Sequence, residues 1–236
     1  MLPCPPNSRI LFVGADSPPD NLEIGIKCAA SRPLGGWTKR ALDSILALAI
    51  LVVLSPLMLT VALLIMVTSP GGVIFSQRRP GFHARSFPCF KFRTMVNNAE
   101  EELRRYLENN PEAAREWGKR QKLRHDPRVT QLGQLLRKSS VDEIPQLFNV
   151  LRGEMSLVGP RPIEPSEQNR YREFCPDYFG ARPGLTGMWQ VCGRNSRTYQ
   201  ERLALVRYYV RRWSFAFDLW ILFKTIPAVL RFDDAS

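Results

Sequence analysis

The sequence predicts a mostly helical α+β protein that is monotopic, attached to one face of a membrane. The first observation is a 27-residue apolar block from Ala41 to Val67, whose polar members are only Asp43, Ser44, Ser55 and Thr60. The second is a pair of short extended segments directly after it, and the third is helical spacing of apolar residues over much of the remainder. Together they predict a membrane helix, a small β-hairpin and several amphipathic interfacial helices.

Composition divides the chain into an apolar block and a basic remainder. The chain has 236 residues and a net charge of +11, and from Pro70 onward 28 Lys and Arg face 18 Asp and Glu. A mean hydropathy of -0.19 excludes a many-pass transporter. Residues 1–36 are predicted to be a flexible extension, 37–69 a membrane helix and 70–236 a cytoplasmic catalytic domain. The basic surface predicts an anionic partner: nucleic acid, acidic lipid or a phosphorylated small molecule.

The apolar block is long enough to cross a bilayer, but Ser55-Pro56 interrupts it near its middle. Basic residues flank both ends, and the positive-inside rule places both flanks in the cytoplasm. They are Lys27, Arg32, Lys39 and Arg40 before the block and Arg78, Arg79, Arg85, Lys91 and Arg93 after it. We therefore favour a re-entrant helix-break-helix, in which the Ser55 hydroxyl satisfies a freed carbonyl, over a kinked single span.

The remaining elements follow from apolar spacing and turn residues. Val73 to Gln77 and Phe87 to Arg93 are predicted to form the β-hairpin, and 98–123 an exposed helix interrupted near Pro111. Helical spacing returns at Leu132 and stops at Gly153.

Ser140-x-x-Glu143 has the spacing of a capping box for this second helical region. Residues 155–197 are predicted to be irregular. From Tyr199 onward, aromatic and basic residues alternate on predicted helices, which is typical either of a membrane interface or of an aromatic core.

Adjacent carboxylates and turn-held arginines are the candidate chemical groups. Asp142 and Glu143 could bind Mg²⁺, and one of them could act as a nucleophile on phosphorus, although acidic residues in a first helical turn also simply complement the helix dipole. Arginines in Gly/Pro-rich turns suit diphosphate binding. The residues concerned are Arg161, Arg182 and Arg194, with Arg137, Lys91 and Arg93 as additional cations.

Two function classes agree with these residues. One is a membrane-embedded enzyme that joins a soluble phosphate-bearing donor to a lipid acceptor. The alternative is a membrane-anchored basic module that binds acidic lipid or nucleic acid. The carboxylates set among the arginines favour the enzyme, because a binding patch does not need them.

Several segments together resemble the bacterial sugar transferase family, the monotopic polyprenyl-phosphate phosphoglycosyl transferases, in its short exopolysaccharide-initiating form. The matching segments cover roughly Lys39 to Leu230 in the family's order. They are Lys39-Arg40-x-x-Asp43, Ser55-Pro56, Gln77-x-Arg79-x-Gly81, Lys91-Phe92-Arg93-Thr94-Met95, Val141 to Val150, Met155 to Pro162, Arg182 to Gly187, Trp189-Gln190-Val191, Gly193-Arg194 and Asp218-Leu219.

The resemblance implies transfer of a sugar 1-phosphate from a UDP-sugar to undecaprenyl phosphate with release of UMP, at the bacterial inner membrane with the site on the cytoplasmic face. It implies Asp142 as the covalent nucleophile and Glu143 as its partner in holding Mg²⁺ and in proton transfer. Lys91 and Asp218 match further catalytic positions. Arg137, Arg161, Gln190, Arg194 and Arg93 are assigned to substrate binding.

The resemblance also implies which partners the chain has. Galactose and glucose donors are expected, with an N-acetylated sugar as the alternative. Membrane lipid is an expected partner, nucleic acid is not, and homo-oligomerisation is left open. Three residues depart from the family pattern: Ala84 replaces a common Gly, Cys192 a small polar residue and Val206 an expected Asp.

Overall fold

The structure is a computed structural model that describes residues 32–120, 123–165, 167, 171, 175–193 and 198–230. The predicted extension therefore lies almost wholly outside the described residues. The elements in chain order are α1 (Gly36–Thr68), β1 (Ile74–Pro80), β2 (Ser86–Phe92), α2 (Ala99–Asn109), α3 (Pro111–Arg120), α4 (Gln131–Lys138), α5 (Gln146–Arg152), β3 (Ser156–Val158), α6 (Cys175–Phe179), β4 (Gly184–Thr186), α7 (Met188–Val191), α8 (Tyr199–Arg211) and α9 (Phe215–Leu230). The predicted α+β class is confirmed.

Within the described residues, α1 is the one helix that is long and apolar enough, by length and composition, to cross a membrane. It continues through Ser55-Pro56 as a single helix, so the predicted division into two helices is not seen. Pro56 lacks the N–H that would bond the Val52 carbonyl. The Ser55 hydroxyl donates to that same carbonyl at 2.8 Å, as the sequence predicted.

Polar residues near the start of α1 attach it to the rest of the protein. Arg40 donates from Nη1 to the Val150 carbonyl at 2.5 Å and from Nη2 to the Leu151 carbonyl at 2.7 Å. These carbonyls lie in the last turn of α5, where a cation also complements the helix dipole. Asp43 accepts hydrogen bonds from the Ser156 hydroxyl at 2.7 Å and from the Leu157 N–H at 3.2 Å.

The end of α1 is attached to the same body. Val61 and Ile65 are buried in a cluster with Phe92 of β2 and Leu136 of α4. Arg93 donates to the Ser69 and Pro70 carbonyls, at 2.7 and 2.8 Å, just beyond the helix. Both ends of α1 therefore pack against the domain that contains the hairpin and α5.

The predicted hairpin is confirmed, with β1 and β2 antiparallel and Ile74 opposite Phe92. Its turn includes Ala84 at a φ of 56°, a left-handed conformation that favours glycine. The backbone at position 84 thus favours the Gly that is common in the family, although this chain has Ala there.

The region around Asp142 differs from one prediction. Val141–Glu143 is a short 3₁₀ turn that precedes α5, and Gly153 ends α5 at a φ of 81°, as predicted. The capping box predicted at Ser140-x-x-Glu143 is wrong. Ser140 has a φ of 57° and makes no capping hydrogen bond through its side chain, and the Glu143 carboxylate turns to Lys91 instead. A capping box does occur at Thr198 and Glu201, at the start of α8.

The segment predicted to be irregular contains a parallel pair that sequence patterns missed. Ser156 of β3 lies opposite Gly184 of β4, and Val158 opposite Thr186. The approach is close, since a Cβ on Gly184 would lie 2.1 Å from the Gly159 nitrogen. Strands of three residues are too short to show an alternation of apolar and polar residues. Gly159 and Gly184, which allow the close approach, were therefore the sequence signal for this strand pair.

The two other departures also have structural outcomes. Val206 is buried with Ile163, Tyr178 and Phe179, so an Asp here would be surrounded by apolar side chains. Cys192, which replaces a small polar residue of the family, is disulfide-bonded.

Candidate active site

A pocket opens between the β1–β2 hairpin, the 3₁₀ turn and start of α5, the loop after β3, and β4 with α7. Three cations and one carboxylate contribute to its lining, so its charge favours an anionic ligand. The lining residues are Arg79, Cys89, Lys91, Glu143, Gln146, Arg161, Pro162, Gly184, Leu185 and Gln190. Four residues that the sequence assigned to the site, Lys91, Glu143, Arg161 and Gln190, are thus brought together.

Asp142 directly precedes the pocket residue Glu143 in the sequence and is 8% exposed. Burial, reinforced by the neighbouring Glu143 carboxylate, raises the pKa of Asp142 to about 6, while the charges of Lys91 and Arg137 act in the opposite direction. The Lys91 ammonium donates to Glu143 Oε1 at 2.7 Å. At neutral pH the site therefore contains two adjacent carboxylates, which the two cations partly balance.

Arg137 approaches the carboxylates from α4. Its Nε donates to the Thr94 hydroxyl at 2.9 Å, and its guanidinium is close enough to Asp142 for their charges to interact. The position of Arg137 depends on Gly133, because a Cβ there would lie 2.1 Å from the Thr94 carbonyl oxygen. This contact holds α4 against the segment that follows Lys91.

The far wall of the pocket is held by Trp189, which is 7% exposed. The guanidinium carbons of Arg161 and Arg202 lie 5.3 and 4.8 Å from its ring centroid. Such cation–π contacts stabilise an arginine in one orientation while its N–H groups remain available. Beside them, Gln190 Oε1 is buried with no hydrogen-bond partner among the described residues, so a ligand donor group could satisfy it.

Two described residues that the sequence assigned to the site, Asp218 and Arg93, contact the ends of α1 and do not line the pocket. Asp218 accepts hydrogen bonds from Lys39 Nζ of α1 at 2.5 Å, from Tyr209 Oη of α8 at 2.7 Å and from Trp213 Nε1 at 3.0 Å. Arg93 binds carbonyls at the other end of α1. Arg194 lies outside the described residues. Asp218 and Arg93 therefore hold the membrane helix in the structure.

The donor set limits how Mg²⁺ could bind. Among the described residues, no group of three or more His, Cys, Asp or Glu side chains could hold a metal ion. Mg²⁺ is commonly held by one or two carboxylates together with substrate phosphates and waters. Asp142 and Glu143 fit that arrangement, so they suit a cation that a diphosphate substrate helps to bind, rather than a closed protein cage.

Sequence reasoning missed several residues of the pocket. Arg79 forms an ion pair with Glu164 at 3.2 Å, and Gln146, three residues after Glu143, is 3% exposed. Both lie within motifs that the sequence singled out, Gln77-x-Arg79-x-Gly81 and Val141 to Val150, so motif membership could have found them. Cys89 gave no signal, and burial raises the pKa of its thiol.

Comparison with known proteins identifies the family. The bacterial sugar transferase family matches residues 34–232. The chain belongs to this family. It is 47% identical over 200 residues to the exopolysaccharide production protein ExoY of Sinorhizobium fredii, covering 85% of this chain and 88% of that protein.

Two further relatives have names that state a reaction. An undecaprenyl-phosphate galactose phosphotransferase of Salmonella typhimurium is 48% identical over 84% of this chain and 42% of its own length. A UDP-glucose:undecaprenyl-phosphate glucose-1-phosphate transferase of Caulobacter vibrioides is 40% identical over 84% of this chain and 71% of its own length. The prediction of a phosphoglycosyl transferase is confirmed.

The raised pKa of Asp142 predicts how the stability of this sugar transferase depends on pH. The folded pKa is about 6, above the ordinary value of 3.8, so the folded state binds more protons between these values and loses stability as pH rises through them. Asp142→Asn removes this penalty. We expect it to raise the free energy of unfolding at pH 8 by up to about 3 kcal/mol, with the gain vanishing below about pH 4. Denaturant unfolding in detergent at both pH values measures it.

Asp126→Asn is the matched control for this prediction. Burial alone would raise the pKa of Asp126, but its hydrogen bonds to Arg128 and that residue's charge hold the pKa below its ordinary value. The substitution should therefore lower stability at pH 8. A loss of stability in Asp142→Asn at pH 8 would contradict the assignment of Asp142 as a carboxylate penalised by burial.

A structural role for Asp218 predicts a large loss of stability on its substitution. Asp218→Asn removes the ion-pair partner of the buried Lys39 ammonium, and breaking a buried pair in this way costs about 3–5 kcal/mol. Thermal unfolding in detergent should show this loss, and the double variant Lys39→Met/Asp218→Asn should recover part of it. Glu101→Gln, which breaks an exposed pair with Arg105, should change stability by less than about 1 kcal/mol. An Asp218→Asn protein of full stability but without turnover would instead indicate a chemical role.

Proposed function

We propose that the chain transfers a sugar 1-phosphate from UDP-galactose or UDP-glucose to undecaprenyl phosphate, releasing UMP, as the first membrane step of exopolysaccharide or glycan assembly. The names of the Salmonella and Caulobacter relatives support this donor and acceptor. The pocket supports it independently, since its three cations suit the diphosphate of a nucleotide sugar.

The observation that carries the proposal is the buried Asp142 carboxylate beside the Lys91–Glu143 pair. In the first step, an Asp142 oxygen attacks the sugar-bearing phosphorus of the donor, and the bond from that phosphorus to the bridging oxygen breaks, so that UMP leaves with the bonding electrons. In the second, a phosphate oxygen of undecaprenyl phosphate attacks the same phosphorus and displaces the Asp142 carboxylate. With a pKa of about 6, Asp142 is mostly ionised and able to attack at neutral pH.

The other residues have separate tasks. Lys91 and Arg161 neutralise the developing charge on the transferred group, and Trp189 keeps Arg161 oriented. Glu143 is placed to accept a proton from the lipid phosphate when that phosphate is protonated. When bound to Asp142, Glu143 and the donor diphosphate, Mg²⁺ would supply further charge neutralisation.

We also propose that α1 is re-entrant, which makes the protein monotopic at the inner membrane with the site on the cytoplasmic face. A crossing helix would carry one of its ends away from the catalytic domain. Here the first half contacts α5 and β3 and the second half contacts β2 and α4, with nine residues between the buried positions Leu51 and Val61. At about 1.5 Å per residue, this interval is too short for a hydrocarbon core of about 30 Å.

The reaction is tested by UMP release from purified protein in nanodiscs with Mg²⁺, using UDP-galactose, UDP-glucose and N-acetylated UDP-sugars in parallel. Without lipid acceptor, we expect one UMP per active site and a protein covalently labelled from sugar-labelled donor. With undecaprenyl phosphate, we expect turnover and loss of the label. Asp142→Asn should lower UMP release by at least about 10⁴-fold, as for other covalent nucleophiles.

Asp177→Asn serves as the matched control, because Asp177 pairs with Arg207 and Arg211 outside the pocket. It should keep wild-type turnover. Turnover with lipid but no labelled intermediate would remove the covalent step and keep the reaction. No UMP from folded protein with any of these donors would overturn the proposal.

The geometry of α1 predicts how cysteines placed at its two ends react. Single cysteines at Thr38 and Thr68, in a background without the native cysteines, should both react with a membrane-impermeant thiol reagent in inverted vesicles and be protected in intact cells. Both positions are exposed outside the protein's own packing. Opposite labelling of the two positions would establish a crossing helix.

A further inference from the structure

Asn149 is a fully buried amide of α5 that contacts β2 rather than the pocket. Its exposure is 0%. Its Oδ1 accepts from the Phe90 N–H at 3.0 Å, and its Nδ2 donates to the Pro88 carbonyl at 2.6 Å. Nδ2 also donates to Glu154 Oε2 at 2.6 Å. Every hydrogen-bonding group of the side chain thus has a protein partner.

The two backbone groups that Asn149 contacts belong to the outer edge of β2. Within the part of the chain that the structure describes, the β-sheet that contains β2 has two strands, and no third strand bonds the edge of β2 that faces away from β1. An N–H and a carbonyl two residues apart are what a neighbouring strand would normally engage. The Asn149 amide, with one donor and one acceptor side, takes the place of that strand.

This contact joins the two elements that carry the candidate site, β2 with Lys91 and the segment of α5 with the Asp142-Glu143 pair. Cys89 and Lys91 alternate with Pro88 and Phe90 along β2, so they point to the opposite face, and both line the pocket. Asn149 follows the Asp142-Glu143 pair by less than two helical turns, in the continuous segment of the 3₁₀ turn and α5. In the sequence, α2, α3 and α4 separate β2 from this segment. The position of β2 relative to α5 must therefore be set by tertiary contacts.

We propose that Asn149 is a positioning residue for the phosphosugar transfer proposed above, on which this inference rests. Its amide fixes the position of β2 relative to α5 and thereby holds Lys91 Nζ within hydrogen-bond distance of the Glu143 carboxylate. An amide is required because a carboxylate lacks the donor and an aliphatic side chain lacks both groups. Either change would leave a buried N–H or carbonyl of β2 without a partner.

The first test measures kinetics in the full-length protein in nanodiscs. Asn149→Leu, which is similar in size and uncharged, should lower kcat for UMP release by about 10- to 100-fold per folded molecule and change KM for the UDP-sugar by less than about 3-fold, because a misplaced catalytic group affects the transition state more than binding. In a Lys91→Ala background, the same change should lower single-turnover rates by less than about 3-fold, since the positioned group is absent.

Leu203→Ala is the control for general destabilisation. Leu203 is a buried residue of α8 in a separate apolar cluster, so this variant loses stability without altering the β2 edge. Its kcat per folded molecule should match the wild type. An equal fall in kcat in Asn149→Leu and Leu203→Ala, or an undiminished effect of Asn149→Leu in the Lys91→Ala background, would overturn the proposal.

A second measurement does not depend on activity. Cys89 lies between Pro88 and Phe90 and is buried, with 3% of its surface exposed. Release of the β2 edge should raise its alkylation rate in native conditions by at least about 10-fold in Asn149→Leu, mapped by peptide mass, and leave it near wild type in Leu203→Ala of comparable stability. If wild type releases no UMP, the proposed reaction fails, but this measurement still tests whether Asn149 holds the edge of β2. Unchanged Cys89 alkylation in Asn149→Leu would show that Asn149 does not hold it and would overturn the proposal.

Discussion

The anchoring of α1 to the catalytic domain is the constraint on which the rest of the structure depends. An apolar helix needs no specific contact to stay in lipid, but it positions a site only if it is fixed to the domain that carries the site. Lys39, Arg40 and Asp43 provide that attachment at one end, by ion pair and hydrogen bonds to three different elements. Arg93 provides it at the other end, two residues after Lys91. The residue that binds the carbonyls just beyond α1 is thus two positions from a residue of the pocket.

Burial governs the chemistry in two opposing ways. It penalises the Asp142 charge, which raises the pKa and, under the proposed function, makes the carboxylate a better nucleophile than an exposed one would be. The same burial strengthens the interaction of that carboxylate with Lys91 and Arg137, which keeps it largely ionised at neutral pH. The two cations are positioned by uncharged contacts, Asn149 for β2 and Thr94 for Arg137, so charge balance in the site depends on neutral side chains.

Much of this could be predicted from the sequence, and the failures have physical reasons. The apolar block, the hairpin, the helix interruption at Pro111 and the stop at Gly153 follow from composition and local turn chemistry, and the structure confirms them. The capping box failed because the left-handed Ser140 and the attraction of Glu143 to Lys91, 52 residues away, override a local spacing rule. Asp218 and Arg93 contact the two ends of α1, and because these partners are distant in sequence, only the tertiary structure shows the contacts. Asn149 lies within the Val141 to Val150 motif, but the sequence could not predict its contacts because its partners are backbone groups of a distant strand.

The form of the pocket bears on why the proposed reaction would proceed through Asp142. One cationic pocket lies beside the carboxylates among the described residues, and under the proposed function the donor diphosphate and the lipid phosphate would both be bound by the same arginines and lysine. Two phosphate-bearing substrates bound together would place several negative charges around the same few cations. A covalent intermediate separates the two occupancies in time, because UMP leaves before the lipid phosphate enters. Under the proposed function, the small number of cations therefore favours a stepwise transfer. Because Arg93 binds the end of α1 and lies two residues from Lys91, the pocket stays close to the helix that contacts the lipid.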